Sequence, residues 1–151
     1  MSIRADMFAS ILASLRAIDA PEYNLRYTGC DAVAPNVLVS DISNHPRMYL
    51  VDAGSDTLEV TGPDKLRYAC TLTIGCVDTV NSEEEAIASC GDMLADLRYL
   101  MRNPGQVDGH IVKITELNTE SVRLIDDNQG VTGASVRIGC RVRYWCSIGG
   151  F

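Results

Sequence analysis

The sequence has few of the residues that build metal and redox sites. It contains only two histidines, and its six cysteines, at positions 30, 70, 76, 90, 140 and 146, form no Cys-x-x-Cys pair. Zinc sites need such close spacing or a histidine near the cysteines. We therefore expect no metal and no other cofactor, and we expect the thiols to act as small buried hydrophobic groups.

Motifs for phosphate binding and for catalysis are missing as well. The chain has no Gly-x-x-x-x-Gly-Lys or Gly-x-Gly-x-x-Gly loop, no Gly-x-Ser-x-Gly elbow and no His-Glu-x-x-His helix. His45 stands beside Pro46 in a predicted turn, and His110 opens a predicted strand, so both suit a surface position. We expect no enzymatic activity. A thiol-dependent or hydrolytic enzyme that joins Cys30 to His45 or His110 is an alternative, because such groups meet only in the fold.

An excess of basic residues and long apolar runs are also absent. Thirteen Lys and Arg face twenty Asp and Glu, and the net charge of −7 opposes phosphate binding, so DNA is not expected as a tight ligand. No apolar run approaches the roughly 18–20 residues of a membrane span, and the opening MSIRADMFAS has no signal-peptide pattern. We therefore expect no membrane partner. Because the cysteines are too few for a disulfide scaffold, we expect the chain to reside in a reducing cytoplasm.

Two segments have helical periodicity. Apolar residues at three- and four-residue steps predict a helix over residues 3–18, ended by Pro21. Ser82 and Glu85 have the spacing of a capping box and predict the start of a second helix, which ends near Asn103 because a proline follows. The second helix is expected to bury Ile87, Cys90, Leu94, Leu97 and Met101.

The remaining segments are typical of antiparallel strands. Before the second helix, β-type stretches separated by proline and glycine lie at residues 37–42, 47–51, 57–60 and 66–77. After it come residues 110–117 and 120–125, a turn at 127–130 and a long strand at 131–146. The length of 151 residues and the 46% hydrophobic content suit one core. We predict a single α+β domain over residues 1–151, with a small antiparallel sheet of strands of mixed length and two α-helices packed on it.

The last strand has the clearest alternation in the sequence. Its predicted core face carries Val136, Ile138, Cys140, Val142, Tyr144 and Cys146, and its other face carries Ser135, Arg137, Gly139, Arg141, Arg143 and Trp145. If this strand pairs with residues 66–77, one antiparallel register places Cys70 opposite Cys146 and Cys76 opposite Cys140. Residues 19–34 have no strong periodicity, so Cys30 is expected to be exposed and to be the most reactive thiol.

Charge is segregated along the chain. Residues 78–96 carry acids and no base, residues 41–64 carry five acids and one arginine, and residues 131–151 carry three arginines and no acid. One basic and one acidic face on the same subunit favour a head-to-tail contact that closes into a ring, although a solvated helix face is the alternative for the acidic run. The apolar segment 47–51 is either an edge strand offered to a neighbour or a core strand.

The order of these pieces resembles the tail terminator (tail completion) family of long-tailed bacteriophages. The resemblance covers residues 3–146. It consists of an opening helix with MFASILASLRAI, short strands rich in proline and glycine, a helix with EEAIASCGDMLADLRYLM, two strands around a polar turn and a last strand with GASVRIGCRVRYW. It implies a small antiparallel sheet with two helices and a ring of subunits, usually six.

The resemblance also implies a structural virion protein at the tail–neck junction, assembled in the host cytoplasm. The ring would cap the tail tube, end its polymerisation and provide the joint to the neck. Implied partners are further copies of the chain, the tail tube protein, the neck or connector protein and, in contractile tails, the sheath protein, with DNA only passing through the lumen. Alternatives are a head-side neck or head-closure connector protein, the enzyme described above, and a small binding domain for an apolar ligand.

Ten residues form the candidate subunit or partner interface. They come from the segment at 47–51, the start of the second helix and the outward face of the last strand: Arg47, Met48, Tyr49, Leu50, Glu83, Glu84, Arg137, Arg141, Arg143 and Trp145. We expect Arg141 and Arg143 to pair across subunit boundaries. The substitution Arg141→Glu is then expected to leave the monomer folded and to weaken the ring.

Overall fold

The computed structural model describes residues 3–16, 25, 27–33, 46–63, 65–102, 111–126, 128 and 130–147. Two helices and five strands lie in these ranges: α1 (Ile3–Arg16), β1 (Cys30–Val33), β2 (Arg47–Thr61), β3 (Lys65–Thr79), α2 (Glu83–Arg102), β4 (Ile111–Asp126) and β5 (Gly130–Ser147). The predicted α+β class is confirmed. The strand predicted at residues 37–42 lies outside the described residues.

The described strands form one mixed sheet in the order β1-β2-β3-β5-β4. The pairs β2–β3, β3–β5 and β4–β5 are antiparallel, whereas β1 runs parallel to β2. The expectation of a purely antiparallel sheet is therefore wrong at the β1 edge. β1 has only four residues and comes from a segment without periodicity, so no alternating pattern in the sequence predicts this strand.

Two strands are longer than predicted because each continues through an irregularity. β2 joins the segments predicted at 47–51 and 57–60, and β4 joins those predicted at 110–117 and 120–125. The pairing of β2 with β3 shifts between Asp52 and Asp56, where Gly54 has φ +75° and donates its N–H to the Asp52 carboxylate at 2.8 Å. Such a bulge interrupts the two-residue period, so the sequence reads as two strands.

The register of β3 on β5 differs from the predicted one by four residues. Cys70 lies opposite Val142 and Cys76 lies opposite Val136, so neither cysteine faces the partner expected for it. The expectation that these strands share a core face is confirmed, because Cys70, Cys76, Cys140 and Cys146 are all buried. An even-numbered slip leaves every side chain on its original face, and hydrophobic alternation therefore cannot distinguish the two registers.

Both helices pack on one face of this sheet and enclose the core with it. The predicted first helix is confirmed as α1, which buries Met7, Ile11 and Leu15 at four-residue steps. These side chains join one cluster with the inward residues of β3 and β5, such as Leu72 and Ile138, and with α2. Arg4 also anchors α1 to β2, because its guanidinium binds the carboxylates of Asp52 at 2.6 Å and Asp56 at 2.9 Å.

α2 begins as predicted but turns a different face to the core. Ser82 Oγ accepts the N–H of Glu85, so Ser82 caps the helix as predicted, and the Glu85 carboxylate completes the capping box one residue further back, on the N–H of Asn81. Ile87, which was expected in the core, is 58% exposed, and Cys90, Leu94 and Met101 are only half-buried. The residues that α2 buries are Ala86, Ser89, Met93, Asp96, Leu97 and Leu100.

Candidate interaction surfaces

The two faces of the sheet differ in what covers them. The helix side, formed by residues such as Leu72 and Ile138, is covered by α1 and α2. The outer face is the opposite face and carries the alternate residues of the same strands, among them Thr71, Thr73 and Arg141. Within the described residues no helix packs on the outer face. In the part of the chain that the structure describes, it is therefore a sheet surface that no helix covers.

The outer face is basic, although the chain as a whole is acidic. Of the described side chains, seven bases and three acids lie on the outer face, a net charge of +4: Arg47, Lys65, Arg67, Lys113, Arg137, Arg141 and Arg143 against Asp31, Glu59 and Glu120. The helix side, counted together with α1 and α2 that cover it, carries the other ten described acids and five described bases, a net charge of −5. The segregation predicted from the sequence thus becomes a separation of charge across the sheet.

Three residues of the predicted interface lie inside the molecule. Met48 and Leu50 are fully buried on the helix side, and Tyr49 is buried on the outer face against Gly75. Their strand, β2, is paired with β1 on one side and β3 on the other. The expectation of an edge strand at residues 47–51 is therefore wrong, and the alternative of a core strand is confirmed.

Most arginines of the predicted interface are already paired within the chain. Arg47 binds Asp31 at 2.5 Å across β1 and β2, and the contact lowers the pKa of the Asp31 carboxyl group. Arg137 binds Glu120 of β4 at 2.8 Å. Ion pairs at such half-exposed positions contribute little stability, but they reduce the charge that these arginines offer to a partner.

Arg143 is paired in the same way, whereas Arg141 is not. Arg143 binds Glu59 at 2.8 Å, so the expectation that it pairs across a subunit boundary is not supported by its environment. Arg141 is half-buried and lies in register between Thr71 of β3 and Thr115 of β4. Among the described residues Arg141 has no carboxylate partner.

Trp145 lies at one end of the outer face. The guanidinium carbon of Arg67 stands 5.7 Å from the centre of its ring, which is cation–π geometry. A shallow cavity of about 300 Å³ adjoins the ring and is also lined by Val60, Gly62, Pro63 and Lys65. Trp145 therefore adds an apolar, partly exposed surface to the basic face.

The start of α2 presents three glutamates in three different situations. Glu83 binds Arg123 of β4 at 2.5 Å, and Glu85 is held by the capping box. Glu84 is exposed and has no ion-pair partner in the part of the chain that the structure describes. Of the two glutamates predicted for the interface, Glu84 is the one whose charge remains available.

The thiols have the environment of structural cysteines. Cys30 is 2% exposed, so the expectation that it is exposed and reactive is wrong. Burial raises the pKa of Cys30 to about 12, and it has the same effect on Cys70 and Cys140. Because the thiolate is the reactive form, these pKa values oppose a nucleophilic role. The expectation that the cysteines act as buried hydrophobic groups is confirmed for five of the six, and Cys90 is half-buried.

The remaining parts of the enzyme alternative find no support in the described region. His45 and His110 both lie outside the described residues. No group of histidine, cysteine and acidic side chains that would hold a metal ion occurs among the residues that are described.

None of the helices in the described part of the chain is long and apolar enough to cross a membrane.

The sequence did not identify the carboxylates that form ion pairs with the arginines of the outer face. Glu59 and Glu120 come from β2 and β4, and neither was singled out. The pairing of Glu120 with Arg137 had a signal, because a hairpin with its turn at 127–130 brings residues near 120 and 137 together. The contact between Glu59 and Arg143 had none, since it crosses β3 and depends on the β2 irregularity.

No protein-family model and no curated protein matches the chain.

Proposed function

We propose that the chain is a ring-forming subunit that works as a bacteriophage tail terminator. In this role the ring, of six copies, caps the tail tube, ends its polymerisation and forms the joint to the neck at the tail–neck junction. The partners are copies of the chain, the tail tube protein, the neck or connector protein and, in a contractile tail, the sheath protein. The order helix, strands, helix, strands, on which the resemblance partly rests, recurs in the described residues.

One observation carries the proposal: among the described side chains, an outer face of net charge +4, on which no described helix packs, lies opposite a helix side of net charge −5. Two outer faces repel each other, as do two helix sides, so a symmetric face-to-face dimer is unfavourable. Contact between unlike faces is heterologous, and a heterologous contact generates a ring when its rotation closes. A ring is the shape that a cap on a tubular filament requires.

The overall charge also suits a channel for DNA. Six copies of a chain with net charge −7 carry about −42 in total. The contact between unlike faces leaves this net negative charge on the ring, and an acidic ring repels DNA in its lumen and does not retain it.

The test is a tube-capping experiment. Purified chain is added to polymerising tail tube protein, and tube lengths are measured by electron microscopy. We expect tubes that stop growing and carry a ring at one end, while tubes without the chain continue to lengthen. Unchanged tube growth contradicts the proposal.

Deletion of the gene in its phage separates the terminator from the neck protein. A terminator is expected to leave full heads and overlong tails. Tails of normal length that fail to join to heads indicate the head-side neck or head-closure protein instead.

A further inference from the structure

Of the five arginines on the outer face, only Arg141 has no carboxylate partner among the described residues. Arg137 and Arg143, its neighbours along β5, are each paired with a glutamate of the same chain. Arg141 lies between them and, among the described side chains, has no anionic partner. The residues directly beside it in register are Thr71 and Thr115, which are uncharged. A half-buried guanidinium in such surroundings gains most from a carboxylate supplied by another molecule.

On the helix side, two exposed acidic residues without an ion-pair partner in the described region lie two helical turns apart. Glu84 and Asp92 are exposed on α2 and have no ion-pair partner within the described residues. They are eight residues apart, about two turns or 12 Å along the helix, and therefore lie on the same side of α2. That side points away from the core, because α2 buries Ser89, Met93 and Leu97.

The two surfaces also suit each other in shape. Around Glu84 and Asp92 the solvent side of α2 carries small residues, Ala88, Gly91 and Ala95, all of them exposed. The outer face near Arg141 is likewise lined by short side chains: Thr71, Thr73 and Thr115. Short side chains on both partners allow a helix to lie close to a sheet. At 20 residues α2 is about 30 Å long, and β3, with 15 residues, extends for about 50 Å.

From this complementarity we propose that α2 of a second copy lies along the outer face, with Glu84 of that copy bound to Arg141. The α2 of the same chain cannot reach this position, because it packs on the opposite side of the sheet. The sheet of each subunit is then covered on both faces, by its own helices and by the helix of its neighbour. This inference rests on the proposed ring and specifies which contact closes it.

Charge reversal at the two positions tests the contact. The variants Arg141→Glu and Glu84→Arg each place like charges together in the proposed interface. We expect each to weaken self-association, measured by native mass spectrometry or mass photometry, by roughly tenfold or more. Asp6→Arg, on α1 and away from both proposed surfaces, is the charge-reversal control and is expected to assemble as the wild type does. A far-ultraviolet circular dichroism spectrum that matches the wild type shows that each variant is folded.

Mixing the two variants gives the sharper result. Each variant alone repels itself, but Arg141 of the Glu84→Arg chain can bind Glu84 of the Arg141→Glu chain, and the reversed pair forms at the next boundary. The mixture is therefore expected to assemble into rings in which the two chains alternate, and the double variant is expected to assemble alone.

Several results would overturn this inference. They are assembly of both single variants at wild-type affinity, failure of both the mixture and the double variant to assemble, and a monomeric wild type whose outer face binds a DNA duplex through Arg141. If the variants keep the ring and still cap tail tubes, the contact is wrong and the proposed function stands. If the ring forms through this contact but leaves tube length unchanged, the contact stands and the function is wrong.

Discussion

Close packing on the outer face depends on the absence of a side chain at Gly75. The ring of Tyr49 lies where a Cβ on Gly75 would stand. We predict that Gly75→Ala lowers the free energy of unfolding by about 1–3 kcal/mol, because the ring is held between β1 and β3 and has little room to move. Urea unfolding followed by circular dichroism measures the change.

Gly91→Ala is the control for this substitution. A Cβ at Gly91 on α2 meets no heavy atom within 4 Å, and alanine is the better helix former, so this variant is expected to gain about 0.5–1 kcal/mol. Equal effects of the two substitutions contradict the packing described for Tyr49.

The reactivity of the cysteines follows from their burial. Burial raises the pKa of Cys30 to about 12, and Cys76 is buried with its pKa raised as well. We predict that iodoacetamide at pH 8 labels the folded chain slowly, first at the half-buried Cys90, and labels all six cysteines only after denaturation. Peptide mass spectrometry assigns the sites. Rapid labelling of Cys30 in the folded chain would contradict its burial and support the exposure that the sequence predicted.

At the scale of elements, α2 shows why apolar periodicity alone placed its face wrongly. The core takes two polar residues, Ser89 and Asp96, and leaves Ile87 exposed. Ser89 donates to Asp78 of β3 at 2.7 Å, and Asp96 accepts the hydroxyl of Tyr27 at 2.6 Å. A buried polar group is acceptable when it has such partners, and these partners are distant in sequence. No local pattern contains that information.

The hydrogen bond to Asp96 is expected to matter for stability. We predict that Tyr27→Phe lowers the free energy of unfolding by about 1–3 kcal/mol, because it removes a donor from a buried carboxylate. Tyr49→Phe is the comparison, since the buried Tyr49 hydroxyl has no partner with hydrogen-bond geometry in the described region, and its removal is expected to be neutral or stabilising. Chemical denaturation measures both, and the opposite ranking contradicts these contacts.

The attachment of α1 to β2 is expected to depend on pH. The hydrogen bond from Arg4 lowers the pKa of Asp52 below its ordinary 3.8. A lowered folded-state pKa gives stability that is present above the unfolded pKa and is lost as the pH falls through the folded value. We predict that Arg4→Gln lowers the free energy of unfolding at pH 7 by up to about 1 kcal/mol, since the pair is nearly one-third exposed.

This difference between Arg4→Gln and the wild type is expected to shrink as the pH falls below about 4. Unfolding at a series of pH values measures it. Arg102→Gln, which removes a cation without a carboxylate partner in the described residues, is the control. A constant difference for Arg4→Gln at all pH values contradicts the role of Asp52.

At the scale of the whole molecule, the sequence predicted the faces of the strands better than their partners. The alternation in β5 identified Val136, Ile138 and Cys140 as core residues and Arg137 and Arg141 as outward ones, because a two-residue period is a local property. The β3–β5 register and the position of β2 inside the sheet depend on contacts between distant segments.

The charge of the outer face also depends on contacts between distant segments that the sequence alone does not reveal. The run of three arginines in β5 was visible, and it indicated a basic surface. Which of them is free for a partner depended on Glu59 and Glu120 in other strands. Only the fold reduced the candidates to Arg141, and only α2 as folded showed that Glu84 is left unpaired beside Glu83 and Glu85.

The mass of the wild-type chain in solution tests the central claim most directly. Mass photometry over a range of concentrations at low salt is expected to show a closed assembly, at about 98 kDa for six copies of 16.4 kDa, and higher salt is expected to weaken it because unlike charges hold it together. A particle that remains at 16.4 kDa at every concentration, and also when tail tube ends are supplied, contradicts the claim.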